Sequence, residues 1–269
     1  MSPKKKNICG TRISTTSYSE VVDLCSQWIH DKIARNSSVP SRYICVTSVH
    51  GIVTARQDAE LRRILNRADV ATPDGMPVVW ALRSFGETKQ QRVYGPTLML
   101  RLCERAAAEG HRIFLYGSTE DTLEALREKL YALYPRINIA GSFAPPFRAL
   151  TSDEERDVRQ RIISADTDLL FVGISTPKQE KWMAKQKDAL PGLVMVGVGA
   201  AFNFHAGQVK QAPSWMQNHG LEWLFRLWAE PGRLWKRYVL LTPRFLPYWA
   251  LQWVGLYKFQ TDTEFGSDL

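Results

Sequence analysis

The chain has 269 residues, 45% hydrophobic and 23% charged, ordinary values for a globular protein able to bury one large α/β core. A net charge of +8 and a pI near 9.4 favour an anionic partner: nucleic acid, an acidic membrane face or a phosphorylated substrate. The four cysteines (Cys9, Cys25, Cys45, Cys103) are scattered, which excludes a CxxC metal knuckle and suits reduced thiols of a cytosolic protein.

No apolar run follows the basic start "MSPKKKNICG", so no signal peptide is expected. Helical periodicity at 18–34 precedes a strand, "RYICVT" (42–47), and a helix over 51–66 leads to a second strand, "ADVAT" (68–72). Helix 96–109, strand "RIFLYG" (112–117), helix 119–133 and strand "INIAGS" (137–142) follow. Leu123, Leu126, Leu130 and Leu133 give 119–133 one apolar face. After a loop, Ser152 and Glu155 read as the capping box of a helix over 152–164. Strand "DLLFVGI" (168–174), helix 177–189 and strand "LVMVGVG" (193–199) complete the alternation. It predicts an α/β fold, a mostly parallel sheet with helices on both faces. Near Pro213 the strands stop, and six of the nine tryptophans lie at 215–253. We therefore expect a core at 1–212, a helical appendage from 213 and a frayed end in 213–269. No apolar window of 18 residues occurs, and "YVLLTPRFLPYWALQWVGLY" carries Arg244 between two prolines, so no membrane-spanning helix is expected.

Ligands of open parallel sheets bind beyond the carboxyl ends of the strands. Asp74, in "TPDGMPVVW", follows the second strand; it reads either as a turn or cap residue or as a general base. In "GISTPKQEKWM" Pro177 suits the first helical position with Thr176 as its cap. That helix start, with Lys178 and Gln179, would offer donors to an anion or a nucleobase, unless it is an ordinary capped helix. "LYGSTEDT", with Gly117, has the same two readings. "VGVGAAFNFHAG" resembles a dinucleotide fingerprint, but Phe202 stands where the third glycine belongs; its glycines instead suit close approach of a ligand or a helix. Asp166 and Asp168 spell DxD but precede a strand, which makes them solvated turn residues at the wrong end of the sheet. No HExxH or HxH spacing joins the histidines (His30, His50, His111, His205, His219), so no zinc site is expected.

Six ordered motifs, "VHGIVTARQD" (49–58), "RADVATPDGMPVVWALR" (67–83), "RVYGPTLM" (92–99), "GISTPKQEKWM" (173–183), "GVGAAFNFHAGQVKQAPSWM" (197–216) and "GLEWLFRLWAEPGRLWKRY" (220–238), resemble the WecG/TagA/CpsF family of bacterial glycosyltransferases. The resemblance implies a Rossmann-like core and an inverting transfer of a hexose, an N-acetylhexosamine or its uronic acid. The donor would be a UDP-sugar and the acceptor a glycan on undecaprenyl diphosphate, at the cytoplasmic face of the inner membrane, with no cofactor and no metal. It implies Asp74 as the base. Substrate contacts are implied for Thr47, Ser48, His50, Arg92, Tyr94, Gly95, Gly117, Lys178, Gln179, Glu180, Gly199 and Asn203, and for Arg226, Arg233 and Arg237. Ser48 and Asn203 depart from the Asn and Asp common in the family at those places.

Between 215 and 258 lie six basic and two acidic residues. Tryptophan and arginine together suit an anionic membrane surface and a diphosphate; a helical hairpin packed on the core is the plainer reading. Pro231 is placed to start a new helix. A homo-oligomer would cover part of this segment. Nucleic-acid binding is disfavoured because basic residues elsewhere alternate with acids, and a non-catalytic membrane scaffold because Asp74 and Gln179 are intact.

Overall fold

The computed structural model describes residues 3–34 and 39–261; the end expected to fray lies, from 262 on, outside them. It opens with a hairpin of β1 (Lys5–Ile8) and β2 (Thr11–Ser14), paired antiparallel with Ile8 opposite Thr11. Both turn residues have positive φ, Cys9 at 52° and Gly10 at 89°, as a tight hairpin turn requires. A Cys-Gly pair is a weak signal for that turn, and the strand pattern alone does not reveal it.

After α1 (Tyr18–Ala34) and β3 (Arg42–Thr47), the single helix expected over 51–66 is two, α2 (Val49–Gln57) and α3 (Ala59–Arg67). Asp58 divides them: its extended backbone ends α2, and its side chain accepts the Leu61 N–H at 3.0 Å to cap α3. Next come β4 (Val70–Pro73), an unexpected α4 (Met76–Ser84) with proline in its first turn, and α5 (Gly95–Glu109). The chain continues through β5 (Arg112–Gly117), α6 (Glu120–Leu133), β6 (Asn138–Phe143) and α7 (Ser152–Ser164). The capping box of α7 is Thr151 with Glu154, one residue before the expected pair. Then follow β7 (Leu169–Gly173), α8 (Lys178–Gln186), β8 (Val194–Gly197) and the short α9 (Ala201–His205). Broken helices complete the chain: α10 (Ser214–Asn218), α11 (Glu222–Ala229), α12 (Pro231–Trp235) and α13 (Phe245–Trp253), with a π-helical stretch, Lys236–Leu241, before the last. Pro231 does open a helix.

Six strands form one sheet in the order β4-β3-β8-β7-β5-β6 with helices around it. The pairs from β3 through β8, β7 and β5 to β6 are parallel. The fold is α/β, as the alternation predicts. Among the described residues, no helix is long and apolar enough to cross a membrane.

The chain divides into two compact units. The first comprises the N-terminal residues through Ser17, Val46–Tyr94 and the chain from Lys210 onward. Its core joins Ile8, Cys9 and Ile13 of the hairpin region to Ile52 and Val53 of α2, Val78 and Leu82 of α4, and Phe245 and Phe259. Hydrogen bonds fasten α13 to the same elements: Trp249 Nε1 donates to Ser84 Oγ (2.9 Å), and Gln252 Oε1 accepts the Cys9 N–H (2.7 Å).

The second unit is Tyr18–Cys45 with Gly95–Val209. Here Asp168 corrects the expectation of a solvated turn. It is buried and bonded to Lys32 Nζ (2.9 Å) and Arg112 Nε (3.1 Å), whereas Asp166 is exposed. A carboxylate at this depth persists because both cations compensate it. Hydrogen bonds from Arg112 and Lys32 outweigh its burial and hold its pKa below the usual range.

Phe245 is 1% exposed within the first unit's core. Phe245→Ala is expected to cost about 3–5 kcal/mol in urea unfolding followed by circular dichroism; a loss under about 1 kcal/mol would detach α13 from that core.

Candidate active site

The first unit builds a pocket around the end of β4. The Asp74 N–H donates to the Thr47 carbonyl at the end of β3, and the Val93 N–H donates to the Pro73 carbonyl, each at 3.0 Å. The second bond lays residues 90–93 beside the strand end. Gln90 holds that segment, its side chain donating to Thr16 O (2.6 Å) and its carbonyl accepting from Arg83 Nε (2.9 Å). Gly75 then turns the chain at φ 90°, ψ 140°, a conformation open to glycine almost alone, and α4 begins. Asp74 is thereby left at the mouth of a strand and a helix.

Arg92 reaches Asp74 Oδ1 with Nε (3.2 Å) and Nη2 (3.1 Å), and the same Nη2 donates to Glu222 Oε2 at 2.6 Å. Its guanidinium lies 4.0 Å from the centroid of the Tyr94 ring, a cation–π contact. Both bonds to Asp74 fall on Oδ1; among the described residues nothing hydrogen-bonds Oδ2. Glu222 begins α11, and Gly220 allows that approach: a Cβ there would come within 3.0 Å of the Trp80 ring and 3.2 Å of Met76 Cβ.

These groups line an open pocket of about 100 Å³. Ser48, Val49 and His50 at the start of α2 and Gly75, Met76 and Pro77 at the start of α4 face it. So do Arg226, one helical turn beyond Glu222, and Trp223, Tyr238 and Thr242. Two helix N-termini and two arginines thus share the pocket with two carboxylates, Asp74 and Glu222. Burial raises the Asp74 pKa, Glu222 raises it further, and Arg92 and Arg226 pull it down without cancelling the rise. Burial works against the charge of Arg92, but Asp74 and Glu222 overcompensate and hold its pKa above the ordinary value. Burial also pushes the Tyr94 hydroxyl up.

Of the residues singled out in the sequence, Ser48, His50, Asp74, Arg92 and Arg226 line this one pocket, with Thr47 and Tyr94 supporting it. The side chains of Arg233 and Arg237 lie outside the described residues. Gly95, Gly117, Lys178, Gln179, Glu180, Gly199 and Asn203 belong to the second unit. There Gln179 is buried, accepting the Gly199 N–H at Oε1 (3.0 Å) and donating through Nε2 to Glu180 Oε1 (3.0 Å). Gly197 admits it: a Cβ there would stand 2.8 Å from Met183 Cε and 3.0 Å from Gln179 Nε2. Gly197 thus serves the approach of α8, whereas a Cβ at Gly199 would make only ordinary contact, at 3.8 Å from Gln179 Oε1. Thr176 does not cap that helix; its hydroxyl donates to Glu180 Oε1 (2.9 Å), Pro177 holds the cap position, and the Gln179 N–H is taken by Ser175 O. Lys178 is exposed, and Asn203 donates to Gln208 Oε1 (3.0 Å). Gly95 is buried at the start of α5, and Gly117 (φ 139°) lies so close to Gly173 that a Cβ would strike its backbone at 2.6 Å.

Glu222 is the residue that sequence reasoning missed. It sits among apolar and aromatic neighbours, far along the chain from Asp74, and only its charge in "GLEWLF" hinted at a partner.

The model of the glycosyl transferase WecG/TagA/CpsF family matches residues 6–258. Two similar proteins are N-acetylglucosaminyldiphosphoundecaprenol N-acetyl-beta-D-mannosaminyltransferases. The one from Bacillus spizizenii is 31% identical over 192 residues, and the one from Bacillus subtilis 33% over 191. Each alignment covers 71% of this chain and 72% of the relative.

Because its pKa is raised on folding, ionised Asp74 destabilises the native state at neutral pH. That penalty vanishes below the ordinary aspartate value of about 3.9. Asp74→Asn is therefore expected to raise the melting temperature near neutrality, with the gain disappearing as the pH falls below about 4. Calorimetry across that range checks it; a variant less stable than wild type at neutral pH would contradict the raised pKa.

Proposed function

Since the chain belongs to the glycosyl transferase WecG/TagA/CpsF family, we propose that it transfers a hexose, an N-acetylhexosamine or its uronic acid from a UDP-sugar to a glycan carried on undecaprenyl diphosphate. The observation that carries this reading is Asp74 Oδ2. It is a carboxylate oxygen without a hydrogen-bond partner among the described residues, in a pocket that also carries Arg92 and Arg226. The acceptor hydroxyl gives its proton to that oxygen as it attacks the anomeric carbon. The bond from that carbon to the diphosphate breaks on the opposite face, its electron pair leaves with UDP, and the configuration inverts. Arg226, the starts of α2 and α4 and the proposed contacts from Arg233 and Arg237 stabilise the charge gathering on the diphosphate. Positioned cations do here the work a metal could otherwise do. Glu222 holds Arg92, and through it Asp74, in place. The relatives act by name on N-acetylglucosaminyldiphosphoundecaprenol, which makes that acceptor, with an N-acetylmannosamine donor, the first combination to test.

A lipid-linked acceptor asks the enzyme to work at a membrane, and we place it on the cytoplasmic face. The C-terminal segment supports this with a surface of exposed Trp215, Trp228, Trp253, Val254 and Leu256. Aromatic and basic side chains together suit an anionic headgroup layer.

Release of UDP across a panel of UDP-sugars, with a synthetic N-acetylglucosaminyl diphosphate lipid, tests the activity; no release from any donor would sink it. Asp74→Asn is expected to lower turnover by about 10²–10⁴-fold. Glu222→Gln should shift the acid limb of kcat/KM to lower pH, because it removes a charge that raises the base's pKa; an unmoved limb would deny Glu222 that role. Deleting the C-terminal segment is no test of membrane binding, since Phe245 and Phe259 belong to the core. Trp228→Ser with Trp253→Ser should leave the fold intact and weaken sedimentation with vesicles containing phosphatidylglycerol. Unchanged sedimentation would count against the membrane surface.

A further inference from the structure

In the second unit, α1 and the turn from α5 into β5 bring together His30, Glu109 and His111, none of which lines the pocket. Gly110, at φ 76°, makes the turn that sets Glu109 and His111 side by side. His111 Nε2 lies 2.7 Å and His30 Nε2 3.6 Å from the same carboxylate oxygen, Glu109 Oε2, and the two imidazole rings meet edge to face at 5.5 Å. All three potential ligand atoms fall within 4.8 Å of one another. Arg105 occupies the other oxygen, Oε1, at 3.1 Å and is drawn away through its second nitrogen to Asp23 at 2.8 Å. Ser26 also hydrogen-bonds Oε2. Hydrogen bonds from Ser26, His111 and Arg105 outweigh the burial of Glu109 and keep its carboxyl below the usual range.

We infer that His30, Glu109 and His111 form a binding site for a zinc-like divalent cation that clips α1 to the α5–β5 turn. Two imidazoles and one carboxylate are a donor set that zinc accepts, with a further position left to water, whereas magnesium and calcium prefer oxygen throughout. Ligand atoms around a tetrahedral zinc stand about 3.3 Å apart, between the two distances seen at Oε2. The adjustment falls on His30, whose side chain is 59% exposed and can swing without disturbing the core. Buried His111 and the hydrogen-bonded carboxylate supply a fixed half of the site, and His30 closes it. The cation takes no part in sugar transfer; it binds the folded protein and not the unfolded chain, and stabilises the fold by linkage. Sequence spacing conceals the site because His30 comes from α1, far along the chain from Glu109 and His111.

The test uses protein without a histidine tag, stripped with a chelator and titrated calorimetrically with zinc chloride, with magnesium chloride as the control. One equivalent of zinc should bind, the melting temperature should rise with zinc concentration, and magnesium should do neither. His30→Ala, at an exposed position, should fold normally and bind zinc at least about tenfold more weakly, since removing even an outer partner of a metal ligand costs that much. Glu109→Gln gives an independent check in the same direction. Absence of stoichiometric zinc binding, or zinc binding unchanged in His30→Ala, overturns the proposal. A melting temperature that responds to pH but not to zinc also overturns it, leaving the cluster a hydrogen-bonded clamp.

Discussion

Arg92 carries its charge into a place where water reaches little of it, its side chain only 14% exposed, and a guanidinium there must be compensated. Compensation comes from two carboxylates that the sequence keeps far apart, Asp74 at the end of β4 and Glu222 at the start of α11. Two acids share this one cation. Burial is what holds the Asp74 pKa up; Glu222 adds to the rise and Arg92 opposes it, so the contact that fixes Asp74 also tempers its proton affinity. It also makes the C-terminal segment part of the site, since withdrawing Glu222 would change both the position and the proton affinity of Asp74.

Such a contact works only if the backbone delivers the three side chains to within a few tenths of an ångström. Two strand-end bonds, Asp74 to Thr47 and Val93 to Pro73, fix the first two. Gly75 supplies the turn that no residue with a side chain makes cheaply, and Gly220 supplies the close packing against α4 that brings α11 in. Phe245 and Phe259 then bind the C-terminal segment into the core shared by α2 and α4, the two helices whose starts face the pocket. Stability and site geometry thus rest on the same elements.

The sequence made the sheet legible because its strands are short, mostly apolar and bounded by turns, and all six are recovered with ends shifted by no more than a residue or two. Strand-end logic also picked out Asp74, since the carboxyl end of a strand is where a parallel fold exposes side chains. What stayed hidden is what depends on tertiary partners. The hairpin turns on Cys-Gly, a pair without a strong turn signal. The helix after Gly75 is apolar on nearly every side and shows no period. Asp168 looks like a surface acid until Lys32 and Arg112 are found beside it. Glu222 likewise has no local reason to matter.

The tryptophan-arginine mixture of the C-terminal segment yields to helical geometry. Residues two apart on an α-helix point about 200° from each other, so on α11 the pair Glu222 and Arg226 faces one way and the pair Leu224 and Trp228 the other. The charged pair lines the pocket, and the apolar pair is exposed, Trp228 by 81%. That inverts the usual rule for a surface helix, in which the apolar stripe turns inward. A helix can be stable this way only if the charges find buried partners, as Glu222 does in Arg92, and if the outward stripe is tolerated or covered. Under the proposed membrane contact, the lipid covers the apolar face while the opposite face holds Arg92 and the leaving diphosphate. Engagement of the surface and assembly of the catalytic charges would then be two sides of one helix, coupled through its rigid backbone.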